Sequence, residues 1–337
     1  MEKRATIKEV AEKAGVSKAT VSYVLNNTKK VSESTKERVL QAARELQYAP
    51  DFTAVSLTKK KSRMIGVILP LINESIAGIM QENTYYNEMI SAVEKTSREN
   101  NYDILLAGLA RPEDYRSWVQ KRRLDGLLFL GLFPEGIYRE MHSMDVPAVL
   151  IDTYESHTEN YPAVNIDDEK GGWLAADHLI SNGHDKIVFL SVDLDNPVEK
   201  ERFQGCKRAL KEAGLPPPAV MKAEDIHSFE SGYEAGRQLF KEKKYTAVIS
   251  GSDTTALGII RAVHDGGGKT PEDLSVIGFD DLRLSRYVIP SLTTIRQHIE
   301  KKGTLAAEKL VRVMEGQEEQ PEMVDVELIV RESTGKR

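Results

Sequence analysis

The stretch AEKAGVSKATVSYVLNN, residues 11–27, contains a helix end, a tight turn and a second helix. Gly15 can adopt the left-handed conformation that ends a helix, and Ser17 can cap the free amides of the next helix. The second helix has one narrow apolar stripe, which consists of Val21, Val24 and Leu25. Its other side is outward-facing and mostly polar, and consists of Lys18, Ala19, Ser22, Tyr23 and Asn26.

The flanking residues predict where the neighbouring helices begin. Thr6 and Glu9 have the spacing of a capping box, so the first helix begins there. A third helix begins near Ser32 or Ser34 and buries Val39, Ala43 and Leu46. Two short helices joined by a glycine turn form a helix-turn-helix, whose second helix can enter the major groove of DNA. An ordinary helical hairpin with one solvated side is the alternative interpretation.

Charge is unevenly distributed along the chain. Residues 1–63 contain 14 Lys/Arg and 7 Asp/Glu, whereas the whole chain has a formal net charge of −6. The first segment is therefore basic and the remainder acidic. This asymmetry indicates a head that meets a polyanion and a body that does not, although a merely solvated charged end is also compatible with it.

Length and composition limit the class of protein. A chain of 337 residues is long for one core and predicts two or more packed units. No apolar run approaches the roughly 18 residues of a membrane span, and no apolar segment follows the charged amino terminus, so we expect a cytoplasmic protein that contacts no membrane. Cys206 is the single cysteine, which excludes an internal disulfide and a cysteine-rich zinc site.

From residue 64 onwards, short apolar runs alternate with amphipathic segments. The runs are MIGVILP, YDILLAG, GLLFLG, AVLID, KIVFLS, TAVIS and LSVIGFD. Such runs are typical of buried parallel strands, and the segments between them of crossover helices. They fall into two sets divided near residues 163–165, which predicts two doubly wound α/β lobes.

Ligands of such folds bind beyond the carboxyl ends of the strands, which here means a cleft between the lobes. Polar residues that follow predicted strands are therefore cleft candidates. They are Asp152, residues 193–196, Ser252, Asp253, Asp280 and Asp281. For each aspartate, a helix cap or turn role is the alternative.

The segment TIKEVAEKAGVSKATVSYVLNNTKKVSESTKERVLQAARELQYAP, residues 6–50, resembles the amino-terminal signature of the lactose/galactose repressor (LacI/GalR) family of bacterial transcription regulators. The resemblance implies that Lys18 and Ala19 read bases of a double-stranded operator. Tyr23 stands where the family commonly has an arginine that reads a guanine. Tyrosine offers one hydroxyl where arginine offers two parallel donors, so the base preference at that position of the operator should differ. The remaining expected DNA-contact residues in the head are Thr6, Ser17, Thr20, Ser22 and Asn26.

In that family, the residues after the helix-turn-helix form a hinge helix that orders on the operator and pairs with its dimer mate. The resemblance places Ala54 at the helix contact and Leu57 as a wedge in the minor groove. A linker leucine that rests on the body is the alternative for Leu57. The lysines at positions 59–61 are either a solvated spacer or phosphate contacts.

Later segments, including residues 164–191, 202–210, 251–281 and 289–297, resemble the effector-binding core of the same family, itself similar to periplasmic sugar-binding proteins. The resemblance implies the effector-binding residues Tyr85, Tyr86, Asp152, Arg202, His227, Ser252 and Asp280, with Phe229 as an alternative to His227. A guanidinium opposite carboxylates suits a sugar or sugar derivative, and a phosphate or carboxylate on the ligand would also suit Arg202. A surface ion pair is the alternative for Arg202. Extra residues near 73–81 depart from the family pattern.

Several tempting motifs are rejected. GGGKT, residues 266–270, follows a helix and lacks the first glycine of a phosphate loop. The acidic residues 167–169 are interpreted as the start of a helix rather than as a metal site. His178 and His184 have no accompanying ligands and are interpreted as structural. We find no catalytic triad or paired acid, and we expect neither metal nor cofactor.

The sequence therefore predicts a DNA-binding regulator of the repressor type, nucleoid-associated and homodimeric, controlled by a small effector. We place the helix-turn-helix at 1–48, the hinge and linker at 49–63 and the core at 64–337. The first lobe is expected at about 64–164 and 298–322, and the second at about 165–297 and 323–333. A solute receptor and a cytoplasmic α/β enzyme are the alternatives. The chain shows no export signal, which a solute receptor would need, and no phosphate loop or acid/base pair, which such an enzyme would need.

Overall fold

The computed structural model divides the chain into two compact units, Met1–Ser62 and Arg63–Arg337. The residues it describes are 5–26, 31–48, 61–71, 80, 84–154, 161–225 and 227–337. Residues 49–60, with the predicted hinge residues Ala54 and Leu57, lie outside the described residues, as do 72–79 and 81–83 of the extra segment.

The first unit contains helices α1 (Ile7–Ala14), α2 (Lys18–Asn26) and α3 (Glu33–Glu45). The capping box that begins α1 is confirmed, since the Glu9 amide donates to Thr6 Oγ1 at 3.3 Å and the Thr6 amide donates to the Glu9 carboxylate at 2.6 Å. These bonds satisfy amides that have no partner within the helix.

The turn between α1 and α2 also follows the prediction. Gly15 has φ 63° and ends α1, and Ser17 Oγ accepts a hydrogen bond from the Thr20 amide at 3.1 Å at the start of α2. The shared core consists of Val10, Ala11, Ala14, Val21, Val39, Ala42 and Ala43, with Val24, Leu25 and Leu46 packed against it. Of the predicted outer face of α2, Lys18 and Ala19 are exposed, whereas Ser22 and Tyr23 are half-buried.

The first lobe of the second unit is a parallel six-stranded sheet in the order β11-β5-β4-β3-β1-β2. Its strands are β1 (Met64–Pro70), β2 (Asp103–Leu109), β3 (Gly126–Leu130), β4 (Ala148–Ile151), β5 (Ala163–Ile166) and β11 (Glu322–Val324). The helices of this lobe are α4 (Thr84–Glu99), α5 (Pro112–Arg122), α6 (Glu135–Ser143) and α11 (Ile299–Met314).

The second lobe is another six-stranded sheet, in the order β12-β10-β9-β8-β6-β7, parallel except that β12 runs antiparallel to β10. Its strands are β6 (Ile187–Ser191), β7 (Ala219–Lys222), β8 (Ala247–Ile249), β9 (Ser275–Asp280), β10 (Thr293–Arg296) and β12 (Glu327–Ile329). Its helices are α7 (Asp168–Ser181), α8 (Pro197–Glu212), α9 (Phe229–Glu242) and α10 (Asp253–Asp265), with a 3₁₀ turn at Arg283–Arg286. None of the helices described is both long and apolar enough to cross a bilayer.

The seven predicted strands are present, but the predicted division of the lobes needs correction. Residues 163–165 do not separate the two sets, because β5 pairs with β4 and belongs to the first sheet through Ile166. Likewise β11 extends the first sheet to Val324, two residues beyond the predicted boundary. The chain crosses between the sheets after β5, after β10 and between β11 and β12, so the boundaries fall just after strands.

Helices α7 and α8 pack at very short range because glycines face each other's backbones. A Cβ on Gly172 would lie 1.9 Å from the carbonyl oxygen of Arg202, and a Cβ on Gly205 would lie 1.9 Å from that of Glu169. The thiol of Cys206 is buried in the same contact, as expected for a structural cysteine. This packing brings the first turn of α7 beside Arg202 on α8.

We expect Gly172→Ala to destabilise the second unit by about 1–3 kcal/mol, because the added methyl group forces the two helices apart. Urea unfolding followed by circular dichroism measures the change. Ser181→Ala, at an exposed position of α7, is the control and should stay within about 0.5 kcal/mol of the parent. Equal stability of the two variants would contradict the close packing.

Candidate functional site

A cavity of about 250 Å³ lies at the carboxyl ends of strands from both sheets. The residues that line it are Pro70, Tyr85, Tyr86, Gly131, Leu132, Asp152, Tyr154, Asp168, Asn196, Val198, Glu199, Arg202, His227, Asp280 and Gln297. Seven of the residues predicted from the sequence are thus brought together, namely Tyr85, Tyr86, Asp152, Asn196, Arg202, His227 and Asp280, whereas residues 193–195 do not line the cavity.

Arg202 is held by a buried ion pair inside the cavity wall. Its Nε donates to Asp168 Oδ1 at 2.6 Å, its Nη1 donates to the Gly251 carbonyl at 2.8 Å, and its guanidinium carbon lies 3.6 Å from the ring centroid of Phe279. Both charged groups are almost completely buried. The surface ion pair considered for Arg202 is therefore wrong.

Asp168 is a cavity residue that the sequence analysis missed. We interpreted residues 167–169 only as a helix start, and Asp167 does cap α7 by accepting from the Lys170 amide at 2.8 Å. Asp168, however, pairs with Arg202 and accepts a hydrogen bond from the Tyr154 hydroxyl. Burial raises the pKa of Asp168, an effect that the charge of Arg202 opposes.

A second buried ion pair lies behind the opposite wall. Lys302 on α11 donates to Asp152 Oδ1 at 2.5 Å and to the Tyr85 hydroxyl at 2.9 Å, and that hydroxyl donates to Asp152 in turn. The sequence analysis missed Lys302, although it lies on the same helix face as the buried Ile299, Ala306 and Leu310. A lysine at an apolar position of an amphipathic helix is the signal that could have found it.

Asp280 occupies the end of β9 and is one of the buried acids of the cavity. Gln297 Nε2 donates to its Oδ1, and burial, followed by the negative charge of Asp253, raises the pKa of Asp280 well above its ordinary value. Asp152 and Asp280 both have positive φ, 56° and 123°. Strained backbone of this kind is concentrated at ligand sites.

Aromatic side chains supply the apolar part of the cavity. The rings of Tyr85 and Tyr86 meet edge to face, with centroids 5.5 Å apart. Burial lowers the pKa of His227, so this imidazole is neutral at neutral pH. Phe229, the alternative to His227, does not line the cavity and is 39% exposed.

Ser252 is not brought to the cavity, and its predicted effector contact is not supported. Its side chain caps α10, accepting from the Thr255 amide at 3.3 Å, and it is completely buried. Asp253 and Asp281, two further cleft candidates, are also used internally. Asp253 accepts from Ser285 and from Thr294, and Asp281 is paired with two arginines, Arg296 and Arg331.

The rejected motifs have structural roles among the residues described. GGGKT follows α10 rather than a strand. His178 bonds to Thr334 at 2.8 Å, and His184 to Thr246 at 2.8 Å and to the Gly335 carbonyl at 3.1 Å. The described ranges contain no cluster of three or more His, Cys, Asp or Glu that could hold a metal ion.

In the first unit, most of the candidate DNA-contact residues lie on α2. Ser17 and Thr20 bond to each other and cap the helix, and Thr6 belongs to the capping box of α1. Lys18 and Ala19 are exposed, and Ser22 and Tyr23 are half-buried. The side chain of Asn26 lies outside the described residues.

We expect Arg202→Met to destabilise the second unit by about 3–5 kcal/mol, because it leaves the Asp168 carboxylate buried without its partner. Urea unfolding measures the loss, and Arg202→Met/Asp168→Asn should recover at least half of it. Arg208→Met is the control, since Arg208 lies on the same helix but in an exposed pair with Glu169, and should cost at most about 1 kcal/mol. If Arg202→Met were as stable as Arg208→Met, the assignment of a buried Arg202–Asp168 ion pair would be contradicted.

Comparison with known proteins places both units in one family. The family model described as bacterial regulatory proteins, lacI family, matches residues 6–51, and the model of the periplasmic binding protein-like domain matches residues 176–334. The chain is 35% identical to catabolite control protein A of Priestia megaterium over 92% of both chains. It is 34% identical to the HTH-type transcriptional repressor PurR of Vibrio vulnificus (strain CMCP6), over 98% of this chain and 99% of that protein.

A solved structure agrees with these matches. The crystal structure of a lac repressor dimer bound to operator and the anti-inducer ONPF superposes with a TM-score of 0.85 at 28% identity, covering 99% of this chain and 100% of that chain. The predicted fold is thereby confirmed. The relatives are transcription regulators and not enzymes. The chain therefore belongs to the lacI family of bacterial regulatory proteins and is a transcriptional regulator.

Proposed function

We propose that this regulator is a dimeric repressor whose affinity for operator DNA is set by a small, uncharged, polyhydroxylated effector in the cavity between the lobes. One observation carries the proposal. The cavity wall is rich in hydrogen-bonding groups, while the buried cation in the wall, Arg202, and the buried cation behind it, Lys302, are already paired within the protein, with Asp168 and Asp152 respectively.

The charge of the cavity argues against an anionic effector. A phosphate or carboxylate would compete with Asp168 for Arg202 and would also approach Asp152 and Glu199, the latter already accepting from Ser191 at 2.7 Å. Removing a buried partner from such a pair costs several kcal/mol. We therefore propose a neutral ligand in place of the phosphate or carboxylate that the sequence suggested for Arg202. Neutral hydroxyls can donate to these carboxylates without displacing either cation.

The size and aromatic lining favour a sugar. At about 250 Å³ the cavity is slightly smaller than the roughly 300–1,000 Å³ of common ligand pockets. The rings of Tyr85 and Tyr86 offer apolar faces to the C–H side of a sugar ring. Among similar structures are a complex of the regulator CelR with cellobiose and a LacI family regulator from Enterococcus faecium with bound ribose, both at 26% identity and a TM-score of 0.71.

The head supports the proposal of operator binding. It combines a basic composition with an outward face of α2 that carries Lys18 and Ala19. A helix of this kind reads base edges in the major groove, and two copies would read two half-sites. The similar lac repressor structure is an operator-bound dimer. By the same resemblance, Ala54 and Leu57 are proposed hinge contacts to DNA.

Three exposed apolar side chains within one short segment of the second lobe support the proposed dimer. Leu284, Tyr287 and Ile289 are 53%, 69% and 93% exposed. Apolar groups of this size are usually buried, and a second copy of the chain would cover them. In the dimer, a change in lobe angle on effector binding would alter the distance between the two hinge segments and so shift operator affinity.

The effector class is tested by thermal unfolding with matched ligand pairs, D-glucose against D-glucose 6-phosphate and D-ribose against D-ribose 5-phosphate, together with cellobiose and nucleobases. A ligand at 100 times its Kd should add about 2.7 kcal/mol of stability. We expect the stabilising compound to be a neutral sugar, with its phosphate ester inactive. Stabilisation by a phosphate ester or by a nucleobase alone would overturn the proposed class.

Lys18→Ala should weaken binding to the preferred duplex by about 1–3 kcal/mol and broaden base preference, because an exposed lysine at the start of α2 reaches base edges. Selection from a random duplex library followed by anisotropy titration at fixed salt measures both effects. Lys211→Ala, which removes an exposed lysine of α8, is the control and should leave both unchanged. An unaltered site preference in Lys18→Ala would contradict the readout role.

A further inference from the structure

Lys302 has no exposed surface, yet three polar groups surround its ammonium. Besides Asp152 and Tyr85, it donates to Gln297 Oε1 at 3.1 Å. The helix that carries it, α11, packs on α4 and on strands β3, β4 and β5 and therefore belongs to the first lobe. Two of its partners, Asp152 and Tyr85, also belong to the first lobe.

Gln297 connects this cluster to the second lobe. It follows the last residue of β10 directly and lies at the point where the chain crosses back to the first lobe. Its amide nitrogen donates to Asp280 at the end of β9, while its amide oxygen accepts from Lys302. Asp152, Lys302, Gln297 and Asp280 therefore form an unbroken hydrogen-bonded chain from one lobe to the other, here called the interlobe relay.

We propose that the interlobe relay is a latch that holds the two lobes at their observed angle when no effector is bound, and that Lys302 is its central positioning residue. Moving the lobes apart would separate Lys302 from Gln297 or Gln297 from Asp280. Either break leaves a buried polar group without a partner, which is unfavourable. The latch thus opposes changes in lobe angle.

The relay is also placed where a ligand can act on it. Its two ends, Asp152 and Asp280, line the cavity, whereas Lys302 does not. A ligand hydroxyl can therefore bond to Asp152 or Asp280 and weaken the hydrogen bonds that these carboxylates make with Lys302 and Gln297. This regulatory consequence rests on the proposed function. The latch itself does not, since it concerns the chain without DNA or effector.

The test measures the distance between the lobes without any ligand. Spin labels are attached to Glu135→Cys and Asp195→Cys, exposed positions on the two lobes after β3 and β6, and the native Cys206 is buried. Pulsed electron resonance then gives the distance distribution within one chain, with excess unlabelled protein to suppress signals between copies. The variants are Lys302→Met and Gln297→Met in the full chain.

Lys309→Met is the matched control. Lys309 lies on the same helix and is also buried, but it pairs with Glu319 and Glu322, each at 3.0 Å, away from the cavity. We expect the mean distance to lengthen and the distribution to broaden in Lys302→Met and in Gln297→Met, and neither to change in Lys309→Met.

A further variant separates the latch from a simple charge imbalance. Lys302→Met/Asp152→Asn removes both charges, so it should regain thermal stability relative to Lys302→Met while keeping the longer distance. Recovery of the parent distance in this double variant would overturn the proposal. A parent distribution in folded Gln297→Met would also overturn the proposal. This variant keeps the Lys302–Asp152 ion pair and decides the question alone if Lys302→Met fails to fold.

Discussion

The cavity between the lobes depends on internal compensation of buried charge. A buried cation without a partner costs several kcal/mol, so Arg202 and Lys302 can exist there only because Asp168 and Asp152 lie beside them. The glycine contact between α7 and α8 brings the first pair together, and the packing of α11 on the first sheet brings the second. The fold therefore determines which groups a ligand meets, namely carboxylates, hydroxyls and tyrosine rings rather than an available cation.

The same compensation links the site to lobe geometry. The carboxylates that face the cavity are each hydrogen-bonded within the protein, and Gln297, at a crossing of the chain, joins the carboxylate of Asp280 in the second lobe to the Lys302 cluster in the first. A ligand between the lobes can favour one lobe angle over another only if it makes different contacts at the two angles. Carboxylates at both ends of the relay provide such contacts, since a hydroxyl that bonds to Asp152 or Asp280 competes with the bonds that hold the observed angle.

Local signals in the sequence predicted most of the fold. The capping box at Thr6 and the left-handed Gly15 are each encoded within a few residues, and the buried strands are continuous apolar runs. Strands β5, β7, β10, β11 and β12 were not predicted, because each has only three or four residues and at least one of them is polar. Asp168 and Lys302 were missed for a different reason. Their partners lie 34 and 150 residues away, so their roles follow from packing that no local pattern encodes. Ser252 is the opposite case. The family resemblance assigned it to the effector, but the local sequence already explains it as the cap of a helix.

The central claim is that occupancy of the cavity and binding to DNA are thermodynamically linked. Isothermal titration of the most stabilising neutral sugar into the full chain, first alone and then saturated with its preferred duplex, tests this claim directly. The account predicts that the duplex changes the sugar affinity by a factor of about 5–150, the same factor by which the sugar changes duplex affinity. Equal sugar affinities with and without the duplex would contradict it.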